Sequence, residues 1–242
     1  MTLQNQRVVV IGETSGIGWA TAKAALALGA EIVLAGRDEQ KLRGAVDELG
    51  DRASGARVDA ASREQLESFF DWVERLDHLV LALSGAAGGG PIASLDLAEL
   101  RAGFDGKFWP HVTALQVAMP RIEPAGSVTF ISAGSAGAPY AGAAGLAAIN
   151  GALEAMLPAL AVELKPIRVN AVSPGVIDTP WWHRMPEEDR NTVFARYAAA
   201  APVGRIGAAD EVAQAVISVL CNGFITGTVL TVDGGMRFCA AA

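Results

Sequence analysis

RVVVIGETSGIG (residues 7–18) is the stretch from which the fold follows. Val8, Val9, Val10 and Ile11 are apolar without alternation, as expected of a strand covered on both faces. Gly12, Gly16 and Gly18 come at once and open a helix-like segment, TAKAALALG (21–29). Glycine lets the backbone turn tightly and approach a pyrophosphate, whose charge suits a helix N-terminus. A glycine triplet between a first strand and a first helix therefore reads as a nucleotide loop, built from Gly12, Thr14, Ser15, Gly16, Ile17 and Gly18.

The same alternation continues outward. RVVVIG (7–12), EIVLAG (31–36), GARVDA (55–60), DHLVLAL (77–83), GSVTFIS (126–132), IRVNAVS (167–173) and GTVLTVDGG (227–235) read as seven strands. Helical segments lie between them, with Asp38, Ser62 and Asp210 as caps and Gly29 and Gly50 as stops. Strand–helix alternation implies βαβ units, hence a single-domain, doubly wound α/β fold over residues 1–242 with a seven-stranded parallel sheet. One irregular insertion, 174–207, comes late in the chain. A long excursion there is expected to be a substrate lid, at about 176–206.

Composition narrows the function. Half of the 242 residues are apolar (51%) and 19% are charged, enough for a two-sided core. A net charge of −7 argues against nucleic acid, where affinity comes from Lys and Arg on phosphates. No basic amphipathic stretch suggests a membrane surface, and no apolar run is expected to span a bilayer. The first residues lead straight into a strand without a signal-peptide layout, and Cys221 and Cys239 have neither metal-type spacing nor a small-scaffold context. These features read as a cytoplasmic protein with reduced thiols and no metal site.

Arg37 follows the second strand in LAGRD, where Gly36 leaves no acid for a ribose 2′-hydroxyl. A cation there favours a 2′-phosphate, hence NADP(H) over NAD(H), although Glu13 and Asp38 temper the local charge. Together with Asp59 after the third strand, NAVSPG (170–175), DTP (178–180) and TGTVLTVDGG (226–235), the chain resembles the short-chain dehydrogenase/reductase family nearly end to end. The resemblance implies an NADP(H)-dependent oxidoreductase. It implies adenine contacts from Asp59 and Ala60, and backbone contacts from Leu83, Ser84 and Gly85. Around the nicotinamide it implies Pro174, Gly175, Val176, Ile177 and Thr179. It also implies a homodimer or homotetramer; the small residues Ala143, Ala147 and Gly151 fit close helix packing.

At the chemical end the pattern breaks. The family places Tyr-x-x-x-Lys on the helix before the sixth strand, a Ser on the fifth strand and an Asn on the preceding helix. Those positions fall on Leu146, Asn150, Ala133 and Lys107. Leu146 cannot move a proton, and losing general-acid help costs about two to four orders of magnitude in rate. Asn150 retains the capacity to hydrogen-bond a ribose hydroxyl. Ser132 flanks Ala133 but alternation points it the other way. Lys107, beside a bend expected from Pro110, is a candidate to stabilise an oxyanion or donate a proton. His111, one turn on, reads as structural. Asp178 and Trp181 open the lid, where an Asp and a Trp face would suit a cationic substrate. Two functions lead: a hydride-transferring reductase of a small carbonyl, enone or iminium compound, and a catalytically inactive NADP(H)-binding sensor or oligomer partner. A non-redox cyclase or lyase has no positive signal beyond the lost acid.

Overall fold

The computed structural model describes residues 1–12, 14–85, 87–137 and 139–239, so Glu13 lies outside the described residues. The seven strands of one sheet are β1 (Arg7–Gly12), β2 (Glu31–Gly36), β3 (Ala53–Arg57), β4 (Leu76–Ala82), β5 (Ile122–Ile131), β6 (Arg168–Pro174) and β9 (Val229–Val232). All neighbouring pairs are parallel, in the order β3-β2-β1-β4-β5-β6-β9. Alternate residues of each strand feed opposite cores. Val9 and Ile11 of β1 and Leu79 and Leu81 of β4 meet α3 (Arg63–Val73), α5 (Trp109–Ala118) and α6 (Ala144–Glu163). Val8 and Val10, with Val80 and Ala82, meet α1 (Gly16–Ala27), α2 (Glu39–Leu49) and α8 (Ala209–Cys221).

Local signals act as expected at most helix ends. The Asp38 carboxylate accepts from Lys41 N at 3.0 Å and the Ser62 hydroxyl from Gln65 N at 3.3 Å. Gly29 and Gly50 adopt φ of +94° and +78° just past α1 and α2, a region that costs glycine little. Asp210 is a correction: it lies in the first turn of α8, and Glu211 reaches back to Ala208 N at 2.9 Å instead. The third strand ends at Arg57 rather than residue 60, because Val58 to Ala60 bend away to form part of a groove.

Three features were not foreseen. Residues 176–206 carry a two-residue strand, β7 (Ile177–Asp178), paired with β8 (Gly207–Ala208), then a 3-10 turn (Pro180–Arg184) and α7 (Glu187–Ala200). Between α4 (Leu97–Gly103) and α5 the chain makes a π turn, Phe104–Phe108, where Trp109 N–H donates to Phe104 O. Pro110 brings no N–H to the next turn; the wider turn, rather than the expected simple bend, accompanies that gap. Finally, α6 is long and apolar enough, by length and composition, to cross a membrane, which corrects the expectation above. Here its Ile149, Leu153 and Leu157 are buried within the domain.

Candidate functional site

The order of strands reverses beside β1, and a groove runs along the C-terminal ends of the sheet at this switch point. It has two compartments that share Leu83, Ser84 and Trp181.

The outer compartment, of about 680 Å³, is lined by Gly12, Thr14, Ser15 and Arg37 on one side and by Asp59 and Ala60 on another. Gly12 has φ of +140°, and a Cβ there would drive into the Ala82 carbonyl. Only glycine lets the loop lie this flat against the end of β4. Gly36 is less constrained, since its Cβ would lie 3.1 Å from Gly12 O, a tight contact at an ordinary φ. Arg37 is exposed at the rim, and its own carbonyl accepts from Arg57 Nε at 3.1 Å. Lys41, one helical turn on, lines the same compartment. Sequence reasoning missed it, although a cation four residues after Arg37 on a helix start was there to be read. Its ammonium lies 3.9 Å from Asp38, whose carboxylate is already engaged as the α2 cap. Asp59 closes a local turn by accepting from Ala61 N at 3.0 Å.

The inner compartment, of about 400 Å³, takes in Ile17 and Gly18 of α1, Gly85 after β4, and the run Pro174, Gly175, Val176, Ile177 and Thr179 after β6. Gly16 has φ of +59° and lines neither compartment; it turns the chain into α1. A Cβ on Gly175 would lie 2.8 Å from Asp233 Cα, so the backbone itself forms this wall.

Leu146 and Asn150 of α6 both face the inner compartment, one turn apart. Asn150 is buried (4% exposed); its Nδ2 donates to Leu146 O at 2.9 Å and to Ser135 Oγ at 3.2 Å. The Leu146 carbonyl fixes which end of the amide carries nitrogen. Asn150 Oδ1 then has no hydrogen-bond partner. A buried acceptor without a donor is rare and costly, and a ligand hydroxyl in the compartment would complete it. That orphan and the glycine-walled groove fit a dinucleotide whose nicotinamide ribose would reach Asn150.

Lys107 lies on the π turn and also lines the inner compartment. It is buried (8% exposed), and its Nζ donates to the Ser132 carbonyl at 3.1 Å. Ser132 points its hydroxyl the other way, to Glu154 Oε1 at 2.6 Å, as strand alternation requires. Glu154, one turn beyond Asn150, was overlooked in the sequence; an acid inside so apolar a helix was the available signal. His111 is fully buried, with Nδ1 2.8 Å from Lys107 O and Nε2 3.1 Å from Leu81 O. Burial first, and then the Lys107 charge, pull its imidazole down to about 3, so it stays neutral. With a single N–H it donates to one of these two carbonyls and packs between the π turn and β4.

The excursion supplies Trp181, Trp182 and Tyr197 to the inner compartment, and Tyr140 comes from the loop before α6. Arg184 stacks on Trp181, its guanidinium carbon 3.2 Å from the ring centroid, so a cation of this chain already holds one face. Trp182 donates to Ile177 O at 2.9 Å and packs on Phe194, anchoring the turn. Asp178 does not join them. It is exposed on β7 and lines neither compartment, because pairing with Ala208 turns it outward.

Fold and groove thus define a dinucleotide-binding α/β protein. Residues 11–237 match the family model described as enoyl-(acyl carrier protein) reductase. A short-chain dehydrogenase/reductase of Stachybotrys chlorohalonatus is 33% identical over 97% of this chain and 98% of its own. The (2S)-[(R)-hydroxy(phenyl)methyl]succinyl-CoA dehydrogenase subunit BbsD of Thauera aromatica is 30% identical over 97% and 98%. A small-chain dehydrogenase solved in complex with NADPH superposes with a TM-score of 0.85 at 31% identity, covering 97% of this chain and all of the other (100%). The chain belongs to the short-chain dehydrogenase/reductase family and is an oxidoreductase of that type, using a nicotinamide cofactor.

Proposed function

We propose that this protein is an NADP(H)-dependent reductase in which Lys107 stands in for the absent acid. The carrying observation is the burial of Lys107 against Ser132 O, in the compartment that Leu146 and Asn150 also line. A nicotinamide cofactor in the groove would supply the hydride. Arg37 and Lys41 give the outer compartment two cations for a 2′-phosphate, and the NADPH complex of a relative supports that preference. Asn150 Oδ1 accepts from a ribose hydroxyl. Lys107 holds a substrate oxygen by a charge-assisted hydrogen bond, which strengthens as negative charge develops on that oxygen in a water-poor site. Its ammonium gives that oxygen the proton that completes the reduction, regaining one from solvent after product leaves. Leu146 keeps water away and takes no part in proton movement. Trp181 forms the wall between the two compartments rather than a reacting group.

The electrostatics choose among substrates. Lys107 inside the compartment and Arg184 on Trp181 oppose an iminium, and Asp178, which would have attracted one, faces solvent. A carbonyl or an activated enone fits better. Both place an oxygen where a cation stabilises it.

Lys107→Met tests the reading: turnover with NADPH across a panel of ketones and enones falls by about two orders of magnitude or more, while NADPH affinity by calorimetry holds. Unchanged turnover removes Lys107 from the reaction. The second reading, a cofactor-binding protein without turnover, rests on Leu146 and Ala133 at the acid and serine positions. It gains if NADPH binds tightly and no member of the panel is reduced.

A further inference from the structure

The inner compartment has a chemical signature beyond its cofactor contacts. Among its described lining residues only Lys107 and Asp233 carry charge. Asp233 is buried (9% exposed) and already committed: its carboxylate accepts from Gly235 N at 2.9 Å and Arg237 N at 3.0 Å and pairs with the Arg237 guanidinium at 2.9 Å. It has no charge to offer a cationic ligand.

Ser84, Ser132, Ser135, Asn150 and Thr179 add uncharged polar groups, and the large apolar and aromatic side chains come from three separate elements. Leu146 and Ile149 belong to α6, Tyr140 to the loop before it, and Trp181 and Tyr197 to the excursion. Tyr140 and Tyr197 meet edge to face, ring centroids 6.1 Å apart at 76°, so the face of one and the edge of the other form an angled aromatic wall. Burial first, then the neighbouring Tyr197, Asp233 and Cys239, hold the Tyr140 phenol above its usual range, so this ring carries no charge at physiological pH. A rigid aromatic corner of this kind rewards a ligand with rigid apolar area that can meet both rings. A short flexible chain would cover less of it and lose rotamer freedom.

We propose that the inner compartment selects an uncharged ring or fused-ring ketone or enone, its oxygen on Lys107 and its apolar body against Leu146 and the Tyr140–Tyr197 wall. This rests on the reading of Lys107 given above. It makes Tyr140 and Tyr197 specificity-determining residues, a role that no motif in the sequence pointed to.

The test is calorimetry with four probes of graded chemistry: α-tetralone, the ammonium aminotetralin, tetralin carboxylate and butanone. Each is titrated into the protein with and without oxidised cofactor, so that no turnover intrudes. α-Tetralone binds at least about tenfold more tightly than either charged analogue and than butanone, the scale of one aromatic contact surface. Tyr197→Ala and, from a different element, Tyr140→Leu each lose about that factor, while Tyr197→Phe keeps it. Equal or better binding of a charged analogue or of butanone overturns the proposal, as does failure of α-tetralone to saturate the unmodified protein. Failure of the Lys107 reading appears elsewhere, as turnover that survives Lys107→Met with ring selectivity intact.

Discussion

Replacing Asn150 by leucine separates what this residue does for the fold from what it does for a ligand. The two side chains are nearly isosteric, so the change removes polarity rather than volume. In the ligand-free protein it removes two hydrogen bonds, to Leu146 O and Ser135 Oγ, each worth about 1 kcal/mol. It also removes the buried orphan Oδ1, whose desolvation costs about 1–3 kcal/mol. The Leu146 carbonyl keeps its helical backbone bond. The opposing contributions nearly cancel, and the midpoint of chemical denaturation without ligand shifts by no more than about 1 kcal/mol in either direction. With NADPH the balance is different. The variant lacks the acceptor that a ribose hydroxyl would meet, a loss of about 1.4 kcal/mol or tenfold in Kd. NADPH at one hundred times the original Kd stabilises the native protein by about 2.7 kcal/mol, and the variant retains only about half of that. Denaturation with and without NADPH, alongside calorimetry, reads both effects from one preparation. An unchanged Kd would refute the placement of the ribose at Asn150, and a strongly destabilised ligand-free variant would refute the cost assigned to the orphan oxygen.

Arg37→Ala weakens NADPH by about tenfold or more and NADH by far less, since only the former carries a phosphate for a charge-assisted contact; equal weakening means Arg37 does not read it. Ser132→Ala removes the hydroxyl from Glu154 and lowers stability by about 1–3 kcal/mol in urea melts. Turnover suffers less, because Lys107 is held by the Ser132 backbone carbonyl; a stability change near zero would make the Glu154 contact incidental. Acid weakens the fold through two histidines. Burial lowers His78 to about 4 and His111 to about 3, so both stay neutral in the native state while the unfolded chain protonates near its ordinary value. Their stabilisation is complete above about pH 6.5 and is lost as pH falls, by up to about 1.4 kcal/mol per pH unit for each, until pH approaches the folded values. Denaturation at about pH 7 and pH 5 shows that slope, and a shallower one follows His78→Gln. An identical slope in the variant would take His78 out of the account.

The frame was legible because its signals are local. RVVVIG and EIVLAG coincide with β1 and β2, and the apolar-throughout pattern gave burial on both faces. Asp38 and Ser62 marked helix starts with their own side chains. Legibility failed where the determinant lies far away in sequence. Nothing near Val58 tells that the third strand stops at Arg57 so that Asp59 and Ala60 can border a groove. Asp178 looked like a site residue by proximity to NAVSPG, yet a two-residue pairing with Ala208, thirty residues on, turns it to solvent. Lys107 was visible as a candidate, and its burial and its contact with Ser132 were not, because both depend on the π turn. The Tyr140–Tyr197 wall joins residues on a loop and on α7, a pairing that no spacing rule encodes.

Trp181 borders both compartments, and Pro180 beside it borders the outer one. A single side chain therefore stands at the only stretch of wall that a cofactor and a substrate both touch among the excursion's described residues. A molecule seated in the inner compartment would press on the same Trp181 that borders the outer one, and the expected outcome is ordered binding, with the dinucleotide entering first and departing last. Steady-state patterns of product inhibition should carry that order as their signature. The turn Pro180–Arg184, pinned by Trp182 on Ile177 and by Arg184 on Trp181, would then set the pace of release rather than of bond making.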